Sequence, residues 1–194
     1  ALPVAPGSVV VKVCGVTLPE DAQCAISAGA SMIGLIFAKS KRQVSVDQAK
    51  AVADAVRKFG ERTGAVEASP RASDPADLPG FAQRCVALRG ACKRTPLVVG
   101  VFVDQPLDEV VEKISGGGCD VVQLHGKEDL EFIAALRERL PGAWVVKVVH
   151  LPPRGEADAD GTAAEEELRS RLAAYAARCD ALLLDTAVKG SLSG

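Results

Sequence analysis

Two residues in this chain are of types that move protons, and both stand where an α/β fold puts its chemistry. Cys14 closes the apolar, β-branched run Val9-Val10-Val11-Lys12-Val13 and is followed by Gly15, while Asp185 closes the run Ala181-Leu182-Leu183-Leu184. Such runs read as buried parallel strands, whose C-terminal tips carry the reacting groups in α/β enzymes. A thiolate can take a proton from carbon, and a carboxylic acid kept neutral by burial can give one. The pair therefore suits an isomerisation that needs one base and one acid. Two plainer roles stay open: Cys14 as a packed strand residue and Asp185 as a cap for the following turn. Arg42, in the loop Ala38-Lys39-Ser40-Lys41-Arg42-Gln43, has the planar fork that clamps a carboxylate, or it belongs to a solvated cationic loop. Gln123 and His125 are two apart on one strand and so share a side; they reach a pocket if that side is interior, and His125 is otherwise a structural histidine.

The elements that must position these residues alternate. A first strand ends at Cys14, and Thr17 then caps a helix with Pro19 in its first turn, running to about Ala28 with Gly29 at its end. Met32 to Phe37 is a second strand, and a helix follows from Ser45 as cap through Val56. From Gly60 to Pro96 the composition turns to Ala, Ser, Pro, Asp and Arg, which reads as a surface insertion with at most one short helix over Phe81 to Leu88. Order returns with a strand over Leu97 to Val103, a helix from Leu107 to Ile114, and a turn at Gly116-Gly117-Gly118. That triple glycine follows a helix instead of opening one, so it is no dinucleotide fingerprint. Asp120 to His125 is the fourth strand, Glu128 to Leu140 a helix, and Trp144 to Val149 the fifth strand. A second insertion, about 151–163, precedes a helix over Ala164 to Ala177 and the sixth strand, Ala181 to Asp185. Six strands and five helices in alternation predict a parallel α/β sheet with right-handed crossovers. Polar residues recurring at the tips favour a barrel, where the tips converge on one mouth.

Composition narrows the classes of function. The 194 residues carry a net charge of -2, with 48% hydrophobic and 25% charged residues. No Lys/Arg cluster suggests a nucleic-acid partner. No apolar run reaches the roughly 18 residues of a membrane span. The six cysteines form no C-x-x-C pair and stand in no His-rich neighbourhood, so neither a metal nor a disulfide framework is expected; free thiols in a reducing compartment are.

Taken together, the motifs Val11-Lys12-Val13-Cys14-Gly15-Val16-Thr17, Gly34-Leu35-Ile36-Phe37 with Ser40-Lys41-Arg42, Gly100-Val101-Phe102-Val103, Val122-Gln123-Leu124-His125-Gly126 and Leu183-Leu184-Asp185-Thr186 resemble phosphoribosylanthranilate isomerase of tryptophan biosynthesis. They fall in the family's order and span nearly the whole chain apart from the two insertions. The resemblance implies a (β/α)8 TIM-barrel type of fold, of which about six of the eight β/α units stand in this chain. The domain reading is an N-terminal linker at 1–8 and a partial barrel over 9–194, with the insertions at about 60–96 and 151–163.

The resemblance further implies an Amadori rearrangement of N-(5-phosphoribosyl)anthranilate without cofactor. Cys14 matches the general base at C2′, Asp185 the general acid at the ribose ring oxygen, and Arg42 the arginine that holds the anthranilate carboxylate. Gln123 and His125 match the pocket wall. The family continues past the sixth strand with a glycine-rich loop, two more strands and the phosphate cradle, whereas this sequence stops at Gly194. The expectation is an excerpt of a functional isomerase, with a noncatalytic barrel relic serving as an interaction or scaffold subunit as the alternative. Another phosphosugar-handling barrel enzyme fits less well, because its chemistry asks for other residues than Cys14 and Asp185. The expected partner is a small-molecule phosphosugar, and fusion to or association with another tryptophan-pathway enzyme is open. A cytoplasmic location is expected, or the plastid stroma if a transit peptide has been removed.

Overall fold

A computed structural model describes residues 9–58, 78–94, 96–151 and 161–186. The expected linker at 1–8, the 59–77 part of the first insertion, residues 152–160 of the second and the segment after Thr186 lie outside the described residues. Six strands, β1 (Lys12–Cys14), β2 (Met32–Ile36), β3 (Leu97–Phe102), β4 (Val121–Leu124), β5 (Trp144–Leu151) and β6 (Ala181–Thr186), form one sheet in sequential order. Every neighbouring pair is parallel. Six helices accompany them: α1 (Pro19–Ser27), α2 (Val46–Lys58), α3 (Leu78–Arg94), α4 (Leu107–Gly117), α5 (Leu130–Arg139) and α6 (Gly161–Ala176). None is long and apolar enough to cross a membrane among the described residues.

The alternation of side chains along each strand separates two cores. Ile33, Leu35, Phe37, Val98, Phe102, Val122, Leu124 and Val145 pack against α1, α2, α4 and α5, with Ala49, Val52, Val56, Val110, Ile114 and Ile133 as partners. The opposite set, Met32, Leu97, Val99, Val121, Trp144 and Val146, lines the inner face. Helix α3 covers it with Leu88, Ala91 and Cys92. A loop with one short helix was expected here, but α3 is 17 residues long. Pro79 falls in its first turn and Pro96 beyond its end, where proline does not interrupt a helix. Leu88, Ala91 and Cys92, at spacings of three and four, form the stripe that packs on the inner face of the sheet. Arg84 anchors the same face, donating from Nη2 to Ala176 O at 2.5 Å and from Nε to Cys179 O at 3.1 Å.

Two further expectations are corrected. Thr17 does not cap α1: Leu18 holds the N-cap position with no side-chain hydrogen bond, and Pro19 opens the helix. Gly116 and Gly117 are the last turn of α4 instead of a turn of their own, and only Gly118, at φ 67°, leaves the helix. Packing explains both glycines. A Cβ on Gly116 would stand 2.8 Å from Val46 Cγ1, and one on Gly117 3.1 Å from Ala49 Cβ, so α4 could not lie this close to α2. Helix α2 is capped as expected, Ser45 Oγ accepting from Gln48 N at 3.1 Å and Gln48 Oε1 from Ser45 N at 2.9 Å.

One clamp occurs twice at the strand starts. Asp120 N donates to Val98 O at 2.8 Å while its Oδ2 accepts from Val98 N at 2.8 Å. Asp180 repeats this on Val145, with N to O at 2.8 Å and Val145 N to Oδ2 at 2.7 Å. Each carboxylate also meets an arginine of a flanking helix, Arg57 at 3.3 Å and Arg137 at 2.8 Å. The sequence carries the repeat as Cys119-Asp120 and Cys179-Asp180, each just before a strand. It staples the start of β4 to β3 and the start of β6 to β5.

Candidate active site

Cys14 and Asp185 both stand at C-terminal ends of strands, on β1 and β6. A continuous line of polar side chains joins them across the sheet. Lys12, two residues before Cys14 and so on its side of β1, places Nζ 3.3 Å from Cys14 Sγ and donates to Gln123 Oε1 at 2.6 Å. That bond turns the Gln123 amide nitrogen towards His125 Nδ1, 3.5 Å away. On the far side of the ring, His125 Nε2 is 3.4 Å from Asp185 Oδ2, near enough to feel its charge though not aligned for a hydrogen bond. The amide hydrogen facing Nδ1 leaves the neutral ring's proton on Nε2, the nitrogen nearer the carboxylate.

His150 completes this end. Its strand runs two residues past the expected Val149, so that His150 pairs with Asp185 in the β5–β6 register. Its Nε2 lies 3.1 Å from His125 O, and the two rings are 5.2 Å apart. Burial, then the His150 ring, hold the His125 imidazole below its ordinary 6.5, while Asp185 opposes them. His125, His150 and Asp185 offer ligand atoms within 4.8 Å of one another, the one group among the described residues that could hold a metal ion. The Nε2 proton and the His150 bond to His125 O make it a hydrogen-bonding arrangement first.

The depressed His125 value has a sign. The unfolded chain takes up this proton near pH 6.5 and the folded protein only below that, so stability present above pH 6.5 is lost as pH falls through the folded value. The urea midpoint should therefore be lower at pH 5 than at pH 7, and His125→Asn should shrink that difference.

Arg42 reaches the same end from the loop after β2. Its Nη1 donates to Cys14 O at 3.1 Å, and its guanidinium lies over Gly15. Gly15 has φ 79°, and a Cβ there would collide with the Arg42 fork. Glycine is thus required twice over, for the turn and for the approach. The loop's own bonds hold Arg42 in place: Ser40 Oγ accepts from Arg42 N at 3.2 Å, and Gln43 Nε2 donates to Phe37 O at 2.9 Å.

Beneath His125, the loop from β4 to α5 rests on a buried ion pair. Lys147 Nζ is 3.1 Å from Glu128 Oε2, with both side chains 2% exposed. It also donates to Gly126 O at 2.7 Å and Leu124 O at 3.3 Å, while Glu128 Oε1 accepts from Asp104 N at 3.0 Å and Gly126 N at 3.3 Å. Every donor and acceptor of the pair is used, which is what makes such burial tolerable.

Four residues of this region escaped the sequence reading. Lys12 had a signal, since a lysine inside an apolar strand at an i, i+2 spacing from a thiol shares its side. Lys147 had the same one, a lone cation in Trp144-Val145-Val146-Lys147-Val148-Val149. His150 was lost with the strand end, and Glu128 was read only as the start of a helix.

Of the cysteines, Cys14 and Cys24 are exposed. Burial pushes the thiol of Cys92 up to about 11 and those of Cys119 and Cys179 to about 12. Iodoacetamide at pH 8 should accordingly label Cys14 and Cys24 in the native protein and reach Cys92, Cys119 and Cys179 only after unfolding, as peptide mass mapping would show.

The chain's sequence and fold resemble those of known proteins. The family model described as N-(5'phosphoribosyl)anthranilate (PRA) isomerase matches residues 79–166. A "Tryptophan biosynthesis protein TRP1" of Phytophthora nicotianae is 40% identical over 186 residues, 94% of this chain and 33% of that protein. An N-(5'-phosphoribosyl)anthranilate isomerase of Lipomyces starkeyi is 41% identical over 122 residues, 62% of this chain and 50% of that protein. A crystal structure of phosphoribosyl anthranilate isomerase in complex with reduced 1-(o-carboxyphenylamino)-1-deoxyribulose 5-phosphate superposes with a TM-score of 0.57 at 25% identity, over 92% of this chain and 66% of that one. The chain thus spans a third to a half of the length of these curated relatives. The sequential parallel strands and the five motifs in order go with similarity to phosphoribosylanthranilate isomerase, in the family model over 79–166 and in the relatives alike.

Proposed function

We propose that this chain carries the catalytic half of a phosphoribosylanthranilate isomerase, with Asp185 as general acid and Cys14 as general base. The observation that carries the reading is the polar line from Cys14 through Lys12, Gln123 and His125 to Asp185, which sets the acid and the base on one side of one sheet. Asp185 gives its proton to the ribose ring oxygen as the bond from that oxygen to C1′ breaks, and the nitrogen lone pair closes an iminium. Cys14 then takes the C2′ proton, and the electron pair left behind forms a C1′–C2′ double bond and neutralises the iminium. The resulting enol becomes the ketone by moving its proton to C1′. Proton count and oxidation level balance over the whole sequence, so the reaction needs no external oxidant or reductant.

His125 has a part in the first step. With its proton on Nε2 it faces the Asp185 carboxylate and can follow the charge that appears there once the acid has given up its proton. Arg42, its guanidinium beside Cys14, is the residue to meet a carboxylate such as that of anthranilate. The substrate is a phosphosugar bearing an aromatic acid, and the length of the Phytophthora relative, three times this match, supports a further tryptophan-pathway activity in the same polypeptide.

The test is loss of anthranilate-type fluorescence on conversion of phosphoribosylanthranilate, measured on the whole natural polypeptide that contains these residues. Turnover that disappears with both Cys14→Ser and Asp185→Asn supports the proposal. A well-folded polypeptide without turnover favours a barrel kept as an interaction subunit.

A further inference from the structure

We propose that Lys12 is the positioning residue of the base, an ammonium that holds the Cys14 thiolate ready at the barrel mouth. This deepens the isomerase reading and rests on Cys14 being its base. Lys12 Nζ lies 3.3 Å from Sγ, the distance of a charged N–H donor to sulfur, and its second bond, 2.6 Å to Gln123 Oε1, fixes the head group from across the sheet. The slot for this arrangement is built into β2. Gly34 pairs with Cys14 in the β1–β2 register, and a Cβ on Gly34 would stand 2.8 Å from both Cys14 Sγ and Lys12 Cε. Any larger residue at 34 would displace the thiol and the lysine stem together.

The charge also fits the step. Before proton transfer the base is an anion and Lys12 its counter-cation; afterwards the thiol is neutral and the ammonium keeps Gln123 as its partner. Arg42 does not replace it, because its Nη1 bonds the Cys14 carbonyl oxygen and not the sulfur. Since attack on an alkylating agent comes from the thiolate and not the thiol, the same arrangement governs the reactivity of Cys14 in the absence of any substrate.

The experiment measures the rate of Cys14 carboxamidomethylation by iodoacetamide at pH 7 in the full chain carrying Cys24→Ser, which removes the other exposed thiol. Lys12→Met should slow labelling by about tenfold or more, and Lys12→Arg should restore most of it, since a guanidinium again sets a charged donor beside the sulfur. Raising salt should slow the parent protein and leave Lys12→Met unaffected, which loss of packing alone would not produce. In the whole natural polypeptide, kcat should fall in Lys12→Met with KM little changed. Should Lys12→Met fail to fold, Lys12→Gln keeps a donor towards Gln123 without the charge and serves the same comparison. Labelling of either uncharged variant at the parent rate overturns the inference. Slowed labelling in a protein whose parent has no isomerase turnover would keep the role of Lys12 and defeat the isomerase reading instead.

Discussion

Asp185→Asn is expected to lower isomerase turnover by about 10² to 10⁴-fold, the range that removal of one positioned proton-transfer group produces. The side chain is only partly buried, and its neighbours along β6 stay paired with β5 through His150↔Asp185 and Leu151↔Thr186, so the amide fits without disturbing the strand. What it lacks is the ionisable proton. The amide keeps an oxygen beside the His125 ring, which separates loss of the acid from loss of the site. Cys14→Ser should fall as far for the opposite reason, since a hydroxyl in the same slot over Gly34 keeps the hydrogen bond to Lys12 but does not ionise at neutral pH. Steady-state kinetics with unchanged circular dichroism decides both. Turnover within a few-fold of the parent in either variant removes that residue from the mechanism.

The value of the pair depends on geometry that the chain makes legible unevenly. Strand order and direction follow from short apolar runs alternating with helical periodicity, and β2, β3 and β6 begin at the expected residues Met32, Leu97 and Ala181. The inward or outward side of Cys14, Gln123 and Asp185 follows from the period of two along a strand. Helix α3 was hidden because prolines and small polar residues in the 60–96 stretch read as breakers, whereas Pro79 in its first turn and Pro96 past its end sit where they delimit a helix. Its burying face became recognisable only with the inner surface of the sheet to receive it. The polar line across the mouth was hidden for another reason: Lys12, Gln123 and His125 are 111 and 2 residues apart in sequence, and only the parallel register of β1 to β4 makes them neighbours. Local pattern reports which side a residue faces, not what it faces.

The largest structural effect is expected at the other end of the sheet. Asp180→Ala should lower stability by about 3–5 kcal/mol, the cost of leaving one partner of a buried ion pair alone. Asp180 is fully buried, and its Oδ2 accepts from both Val145 N and Arg137 Nη2. Alanine would orphan the Val145 amide of β5 and take the Asp180 carboxylate from Arg137, which also bonds Arg178 O at 3.1 and 3.2 Å and Ala143 O at 3.4 Å. Against a total of about 5–15 kcal/mol for a domain, that loss is a large fraction of what holds the fold. The matching variant Asp120→Ala should cost less, because Arg57 is 40% exposed against 25% for Arg137 and can turn to water. Urea unfolding of the two variants side by side reads the difference. Equal midpoints would mean that the backbone clamp on Val98 and Val145, common to both, supplies the stability and that the arginines add little. A larger loss at Asp180, joined by native-state alkylation of Cys179 next to it, would show that the buried charge pair seals the junction of β5 and β6, on which the placement of Asp185 at the opposite end of the same strand depends.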